Sequence, residues 1–387
     1  MSLRILFATH APADPRTAVY RAVSEQARNL QSDGHHVDVI TRSDLASSRW
    51  ARLDPLLLPL VLATRGLSSY DVVVFHSYLG WAFHLLKRWL DPRRHLTTIT
   101  WFHGLEPLYQ RAMSEELARE HRTISLRFRL LHHLVLPRLL KRSCRASDAV
   151  FCFNSIEAQY LTTHGWAAPE RVYRVSNGVE PACFVSRQHR DVASRLLFVG
   201  QWLPAKGIRY LVEAFTALAA LGDVELSCVG TGASSDAVLA AFPAAVRSRV
   251  SVSPRVDRHE LYEQLRQADL FVFPSLSEGF SCALIEAMAA ALPVVATQVG
   301  AAVDLLQDGR NGTVVPCADA PALVAAVTRL MGDARTRATL GEAARHTAAR
   351  FTSDASCAGF AHNVFEIVER HGVMDRREAA IGSDAVC

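Results

Sequence analysis

The sequence predicts an α/β protein built from two doubly wound, parallel-sheet halves. Three observations lead there. Short apolar runs alternate with longer helical periods along most of the chain. That alternation stops once and starts again. The length, 387 residues, favours two domains over one. Half of the residues are hydrophobic and 21% are charged, so each half can bury its own core.

In the first half, "RILFATH" (4–10) has the composition of a buried strand. A helix over roughly 17–33 follows, stopped by Gly34 in the manner of a C-terminal cap. "HVDVIT" (36–41), "DVVVFHS" (71–77), "LTTITWFHG" (96–104), "DAVFCFN" (148–154) and "RVYRVSNGV" (171–179) continue the strand series. The second half restarts with "SRLLFVGQ" (194–201) and a helix from about Gly207 to Leu221. "VELSCVGTG" (224–232), "DLFVFPS" (269–275), "PVVAT" (293–297) and "NGTVVP" (311–316) complete it. Residues 1–180 are therefore assigned to an N-terminal Rossmann-like domain, 181–193 to a linker and 194–350 to a C-terminal Rossmann-like domain. A helix over about 355–370 is expected to pack back on the first domain. Residues 371–387 have neither period and are expected to form a disordered tail. Two such domains facing each other enclose a central cleft. Open α/β sheets bind ligands at the carboxyl ends of their strands, here the loops after residues 7, 103, 200, 230 and 275.

Composition excludes several function classes. A net charge of +4 is too mild for general nucleic-acid binding. The eight cysteines are scattered, without CxxC or metal-ligand spacing, which fits thiols in a reducing compartment. "MSLRILFATH" runs into a loop and not into a cleavage site. The longest strongly apolar run, "PLLLPLVLA" (55–63), is too short to span a bilayer. A cytoplasmic location is expected, with peripheral contact at the inner face of the membrane as its extension.

The stretch "FVFPSLSEGFSCALIEAMAAALPVVATQVGAAV" (271–303) carries only two charged residues, Glu278 and Glu286. An unpartnered buried carboxylate is costly. Pro274 ends a strand, and the helix that follows starts near Phe280–Cys282 and runs to about Ala291. Its N-terminus offers unpaired N–H groups suited to a diphosphate. Eight helical residues span ~12 Å, too far for a glycosidase-type carboxyl pair but suited to the two ends of one elongated ligand. Local physics leaves a second reading open: Glu278 favouring the helix start, and Glu286 pairing with an arginine elsewhere in the chain.

The segment "PSLSEGFSCALIEAMAAALPVVATQVGAAVDLLQDGRNGTVV" resembles the donor-site signature of family-4 retaining glycosyltransferases of the GT-B fold. "LLFVGQWLPAKGIRYLVEAF", "SCVGTG", "SNGVE", "DGRNGTVVP" and "DPRT…LQSDGHHVDVI" match further parts of that pattern in order, over most of residues 1–350. The resemblance implies that Glu278 holds the donor sugar's hydroxyls and Glu286 the ribose hydroxyls. The backbone at Phe280, Ser281 and Cys282 would cradle the diphosphate, and Gly200 would let the backbone approach it. Lys206 would neutralise charge on the leaving group, and His103, in "WFHG", would face the donor sugar.

Three departures stand out. Gln201 occupies a position where the family usually has arginine, so Lys206 acts alone or with Arg209 or another cation. "APADPRT" lacks the adjacent glycines common in the first loop, with Arg16 as the substitute contact. "EGFS" replaces the commoner "EGFG", a mild change if Ser281 contributes only its backbone N–H.

The resemblance implies a metal-independent, retaining hexosyltransferase without a cofactor, using a nucleotide-diphosphate sugar and a glycan, lipid-linked or small-molecule hydroxyl acceptor in polysaccharide-type biosynthesis. No Asp-x-Asp pair or His cluster with ligand spacing is found in the sequence. The alternatives are a catalytically impaired nucleotide-sugar-binding protein, to which Gln201 lends weight, and a sugar-nucleotide epimerase on the same fold. A nicotinamide-linked oxidoreductase is disfavoured, because "CVGTGAS" is not a full dinucleotide fingerprint. The segment 121–147 holds seven Lys/Arg and no acid among leucines, which leaves two readings open: peripheral contact with an anionic membrane, or a helix that packs its leucines on the sheet and solvates its arginines.

Overall fold

The computed structural model describes residues 2–14, 17–45, 54–92, 96–121, 130–185 and 190–371, the side chains of 54–56 and 88 excepted. Arg16, Arg122, Arg127, Arg129 and the expected tail beyond His371 lie outside these residues. The chain divides into two compact units. One takes in the described parts of Met1–Pro107, Ile124–Ser176 and Ser356–Cys387; the other takes in Leu108–Thr123 and Asn177–Ala355.

Each unit is built on a six-stranded parallel sheet. The first contains β1 (Arg4–Ala8), β2 (His36–Ile40), β3 (Val72–His76), β4 (Thr97–Trp101), β5 (Ala149–Cys152) and β6 (Val172–Arg174). The second contains β7 (Arg195–Val199), β8 (Glu225–Val229), β9 (Val250–Ser253), β10 (Leu270–Phe273), β11 (Val294–Thr297) and β12 (Thr313–Val315). The central strands β3, β4, β5, β10 and β11 are buried at every position. Their Val, Ile, Thr and Phe content suits a parallel sheet covered by helices on both faces. Sequence reasoning missed β9. Its "VSVS" is short and alternates small polar residues at a sheet edge, so it lacks the continuous apolar signal of the central strands.

Helix starts follow local capping chemistry. Asn154 accepts from the Glu157 N–H at 2.9 Å, and Asp257 and Glu260 form a reciprocal capping box. Asp319 and Asp333 cap the next two long helices of the second unit. The helix Ser353–Arg370 contributes Phe360 to the core of the first unit, against Trp101 at 5.0 Å and Phe151 at 5.1 Å.

The two strand orders differ. The first sheet runs β2-β1-β3-β4-β5-β6 and the second β12-β11-β10-β7-β8-β9. Chain direction across the sheet therefore reverses between β1 and β3 in one unit and between β7 and β10 in the other. At such a switch point the two following loops diverge to opposite faces and leave a crevice at the carboxyl ends of the strands.

Candidate functional site

At the β7/β10 switch point, backbone docking brings two loops together. After β7, Pro204 opens a short turn, Pro204–Lys206, that ends at Gly207 with φ +67°. A Cβ at Gly207 would lie 1.9 Å from the Pro274 carbonyl oxygen, so no other residue permits this approach. The Leu276 N–H donates to the Ala205 carbonyl at 2.7 Å and completes the contact. From the other side, Gly300 presses on the Glu278–Gly279 backbone: its Cβ would lie 2.5 Å from the Gly279 oxygen. The Ala301 N–H also donates to that oxygen, at 2.8 Å.

Held this way, Lys206 and Glu278 meet. Lys206 Nζ lies 2.6 Å from Glu278 Oε1, and Ser275 Oγ donates to the same oxygen at 2.7 Å. Thr297 Oγ1 donates to the Ser275 carbonyl at 2.5 Å and fixes that turn. The Glu278 side chain is only 7% exposed, and Oε2 takes no partner among the described residues. Gly200 closes β7 beside the Lys206 stem, which a Cβ there would touch at 3.9 Å. Gln201 is exposed on the same loop. Arg209, the alternative cation, is turned to Glu213 at 2.9 Å.

Phe280, Ser281 and Cys282 lie at the start of the helix Cys282–Ala289. Ser281 stands at φ +62°, a left-handed conformation that costs a non-glycine residue about 1 kcal/mol or more. This corrects the expectation that serine at this position is a mild change. The backbone there demands what glycine supplies freely.

Glu286, 8% exposed, pairs with Arg258 Nη1 at 2.6 Å. Both readings of this residue left open by the sequence therefore have a physical basis: one carboxylate oxygen goes to an arginine, and Oε2 takes no partner among the described residues. Arg258 extends the network, with Nη2 at 3.1 Å from Glu180 and Nε donating to Tyr262 Oη at 3.1 Å; Tyr262 donates to Glu180 at 2.5 Å. Burial opposes this charge, but the two carboxylates and Tyr262 raise the Arg258 pKa above its usual value. Sequence reasoning missed Arg258, Glu180, Tyr262, Ser275 and Thr297. Their one sequence signal was the need of two buried acids for partners.

The switch point of the first unit has a different character. His10 follows β1, His76 ends β3 and His103 follows β4. The Nδ1 atoms of His10 and His76 are 3.0 Å apart, and the His76 ring lies 4.5 Å from that of His103. Burial, reinforced by the neighbouring histidines, drives the pKa of His76 well down and that of His103 to about 3. Both rings are therefore neutral near pH 7, and Nε2 of each is buried without a partner among the described residues. Glu157 accepts from the Leu105 and Phe153 N–H groups, both at 2.9 Å, and so ties the His103 loop to the end of β5. Burial pushes its carboxyl up to about 7, against those hydrogen bonds. Among the described residues no group of three His, Cys, Asp or Glu is arranged to hold a metal ion.

Comparison with known proteins covers both units. A profile described as "Glycosyltransferase Family 4" matches residues 19–182, and one described as "Glycosyl transferases group 1" matches 193–333. The chain is 30% identical over 231 residues to an MMP alpha-(1->4)-mannosyltransferase of Mycolicibacterium hassiacum, covering 58% of this chain and 56% of that protein. It is 31% identical over 255 residues to a D-inositol 3-phosphate glycosyltransferase of Stackebrandtia nassauensis, covering 60% and 57%. The matches thus span little more than half the length of these curated relatives. Among solved structures, a sucrose-phosphate synthase from Thermosynechococcus elongatus superposes with a TM-score of 0.76 at 18% identity, over 95% of this chain and all of that one. The lipopolysaccharide outer core galactosyltransferase WaaB superposes at 0.69 and 15% identity, over 94% of this chain and 99% of that one. Both structural likenesses concern the fold.

Proposed function

The chain belongs to the group 1, family 4 glycosyltransferases and has the GT-B fold, and from that premise we propose that it transfers a hexosyl unit with retention of configuration. The donor is a nucleoside-diphosphate sugar, and the acceptor is a hydroxyl on a glycan, a lipid-linked sugar or a small molecule. One observation carries this reading: Lys206 and Glu278 pair at 2.6 Å at the switch point of the second sheet. A lysine ammonium has three donors. One on Glu278 leaves two for the diphosphate, so the same cation can serve the carboxylate and the leaving group. Glu278 Oε2 then takes sugar hydroxyls, and Glu286 Oε2 takes the ribose.

In the transfer, the anomeric carbon–diphosphate bond breaks while the acceptor oxygen bonds to the same face of that carbon. The acceptor proton passes to a leaving phosphate oxygen. Lys206 stabilises the charge that develops on the diphosphate. Neutral His103 meets the sugar as a hydrogen-bonding group and not as a competing cation.

The test is release of nucleoside diphosphate from UDP-, GDP-, ADP- and dTDP-sugars in the presence of acceptor hydroxyls, with product anomer assigned by NMR. One donor is expected to turn over with retention, and Lys206→Ala and Glu278→Gln are each expected to lose at least ~100-fold in rate. Wild-type rates in both variants would overturn the site. Donor binding without turnover by the wild type would favour the impaired-protein reading, for which Gln201 speaks.

A further inference from the structure

The first unit carries an outward apolar surface that the transfer reaction does not use. We propose that the helices Asp54–Ala63, Trp81–Leu90 and Leu136–Ala146 form a docking surface for an anionic lipid bilayer.

The helix Asp54–Ala63 reads "DPLLLPLVLA" and is apolar on every face beyond its first residue. A helix of that kind normally lies in a core. Here only one side does: Leu58 and Leu62 are buried, while Leu57, Leu60 and Val61 face outward. The neighbouring helix Trp81–Leu90, packed against it, repeats the arrangement. Ala82 and Phe83 are buried, whereas Leu85 and Leu86 face outward and Trp89 is 75% exposed. Scattered exposed apolar residues are ordinary, but two adjacent helices with outward apolar stripes mark an interaction surface.

The helix Leu136–Ala146 also packs against Trp81–Leu90 and supplies charge. Leu136, Leu140 and Cys144 are buried, so two of the leucines that gave segment 121–147 its amphipathic pattern are core residues, and Leu139 is half-buried. The outer face presents Arg138, Arg142 and Arg145 at helical spacing, all exposed and none paired with a carboxylate among the described residues. Residues 55–65, 81–90 and 130–147 contain no acid but seven Lys/Arg, of which Lys87 faces Asp148 at 3.7 Å. A protein partner rich in lysine would be repelled. An anionic bilayer accepts both parts: apolar side chains and an indole at the headgroup boundary, and arginines on the lipid phosphates.

The experiment is co-sedimentation of the full chain with phosphatidylglycerol/phosphatidylcholine vesicles and with phosphatidylcholine alone, at low salt and at ~0.5 M salt. Binding is expected to the anionic vesicles only and to weaken with salt. Arg138→Glu/Arg142→Glu/Arg145→Glu is expected to lose at least ~100-fold in partitioning, taking ~5-fold per surface cation. Leu85→Ser/Trp89→Ser is expected to lose ~10-fold. Unchanged thermal melting establishes that both variants fold, and if the serine variant melts early the charge variant and the salt series still decide. Equal binding to both vesicle types, no binding to either, or unchanged partitioning of the charge variant would overturn the proposal. A dimer in sedimentation equilibrium that Leu85→Ser/Trp89→Ser dissolves, without vesicle binding, would assign the surface to a second copy of the chain and overturn it as well.

Discussion

The two switch points occupy equivalent places in their sheets and hold opposite chemistry. Between β7 and β10 lies a charged pair, Lys206 and Glu278, fixed by backbone approaches that only glycine allows. Between β1 and β3 lies a pair of histidines, His10 and His76, and the His103 ring lies tilted beside that of His76 just after β4. The difference shows that one architecture can present unlike groups at equivalent places. A site with a lysine side chain suits an anion, whereas enclosed neutral rings suit hydroxyl groups whose charge does not change on binding.

The sharpest way to break this contrast is to remove each side in turn. Lys206→Ala is expected to lower kcat by ~10²–10³, and His103→Ala by only about 10-fold, in steady-state assays with one donor. The reverse order would move the chemistry to the first unit. Next in size is the backbone support. Gly207→Ala places a Cβ 1.9 Å from the Pro274 oxygen and at positive φ, so denaturant titration should show a loss of about 3 kcal/mol.

A third test uses a carboxylate buried with no cation acting on it among the described residues. Glu157 stays protonated in the fold up to about pH 7, while in the unfolded chain it ionises near 4.5. Between those values the native state holds more protons, so its contribution to stability falls as pH rises and is level above about 7. Measured against Glu157→Gln, wild type should lose up to about 3 kcal/mol from pH 4 to pH 8. A flat difference would mean that the backbone N–H donors offset burial in full.

Arg258→Met should raise the donor KM about 10-fold with kcat nearly unchanged, because it frees Glu286 to turn without touching Lys206. Arg258→Lys should recover only part of this, since one ammonium cannot bridge Glu286, Glu180 and Tyr262 as the guanidinium fork does. The smallest effect belongs to Ser281→Gly. It should stabilise the second unit by about 1 kcal/mol in thermal or chemical melts and leave turnover unchanged, since the position's φ is +62°.

Most of the fold was legible because parallel strands buried on both faces write continuous apolar runs: "VVVFH", "LFVF" and "VVAT" each became a strand. β9 was not legible, because an edge strand can be polar on alternate residues. Of the candidate site, Lys206 and Glu278 were legible through motif spacing, but their ion pair was not. It depends on Gly207 meeting Pro274, a contact across 67 residues of chain. Arg258 gave no local sign of its role; its position, first in a capped helix, speaks only of helix start.

By itself the sequence determined two α/β halves and two acids set in an apolar segment, because periodicity and burial are written residue by residue. Tertiary structure decided what those acids hold. Oε1 of Glu286 goes to Arg258 and Oε1 of Glu278 to Lys206 and Ser275, since partner choice depends on which loops the strand order brings to one end of the sheet. Strand order is itself a long-range property, settled when the sheet assembles and every strand finds its neighbour.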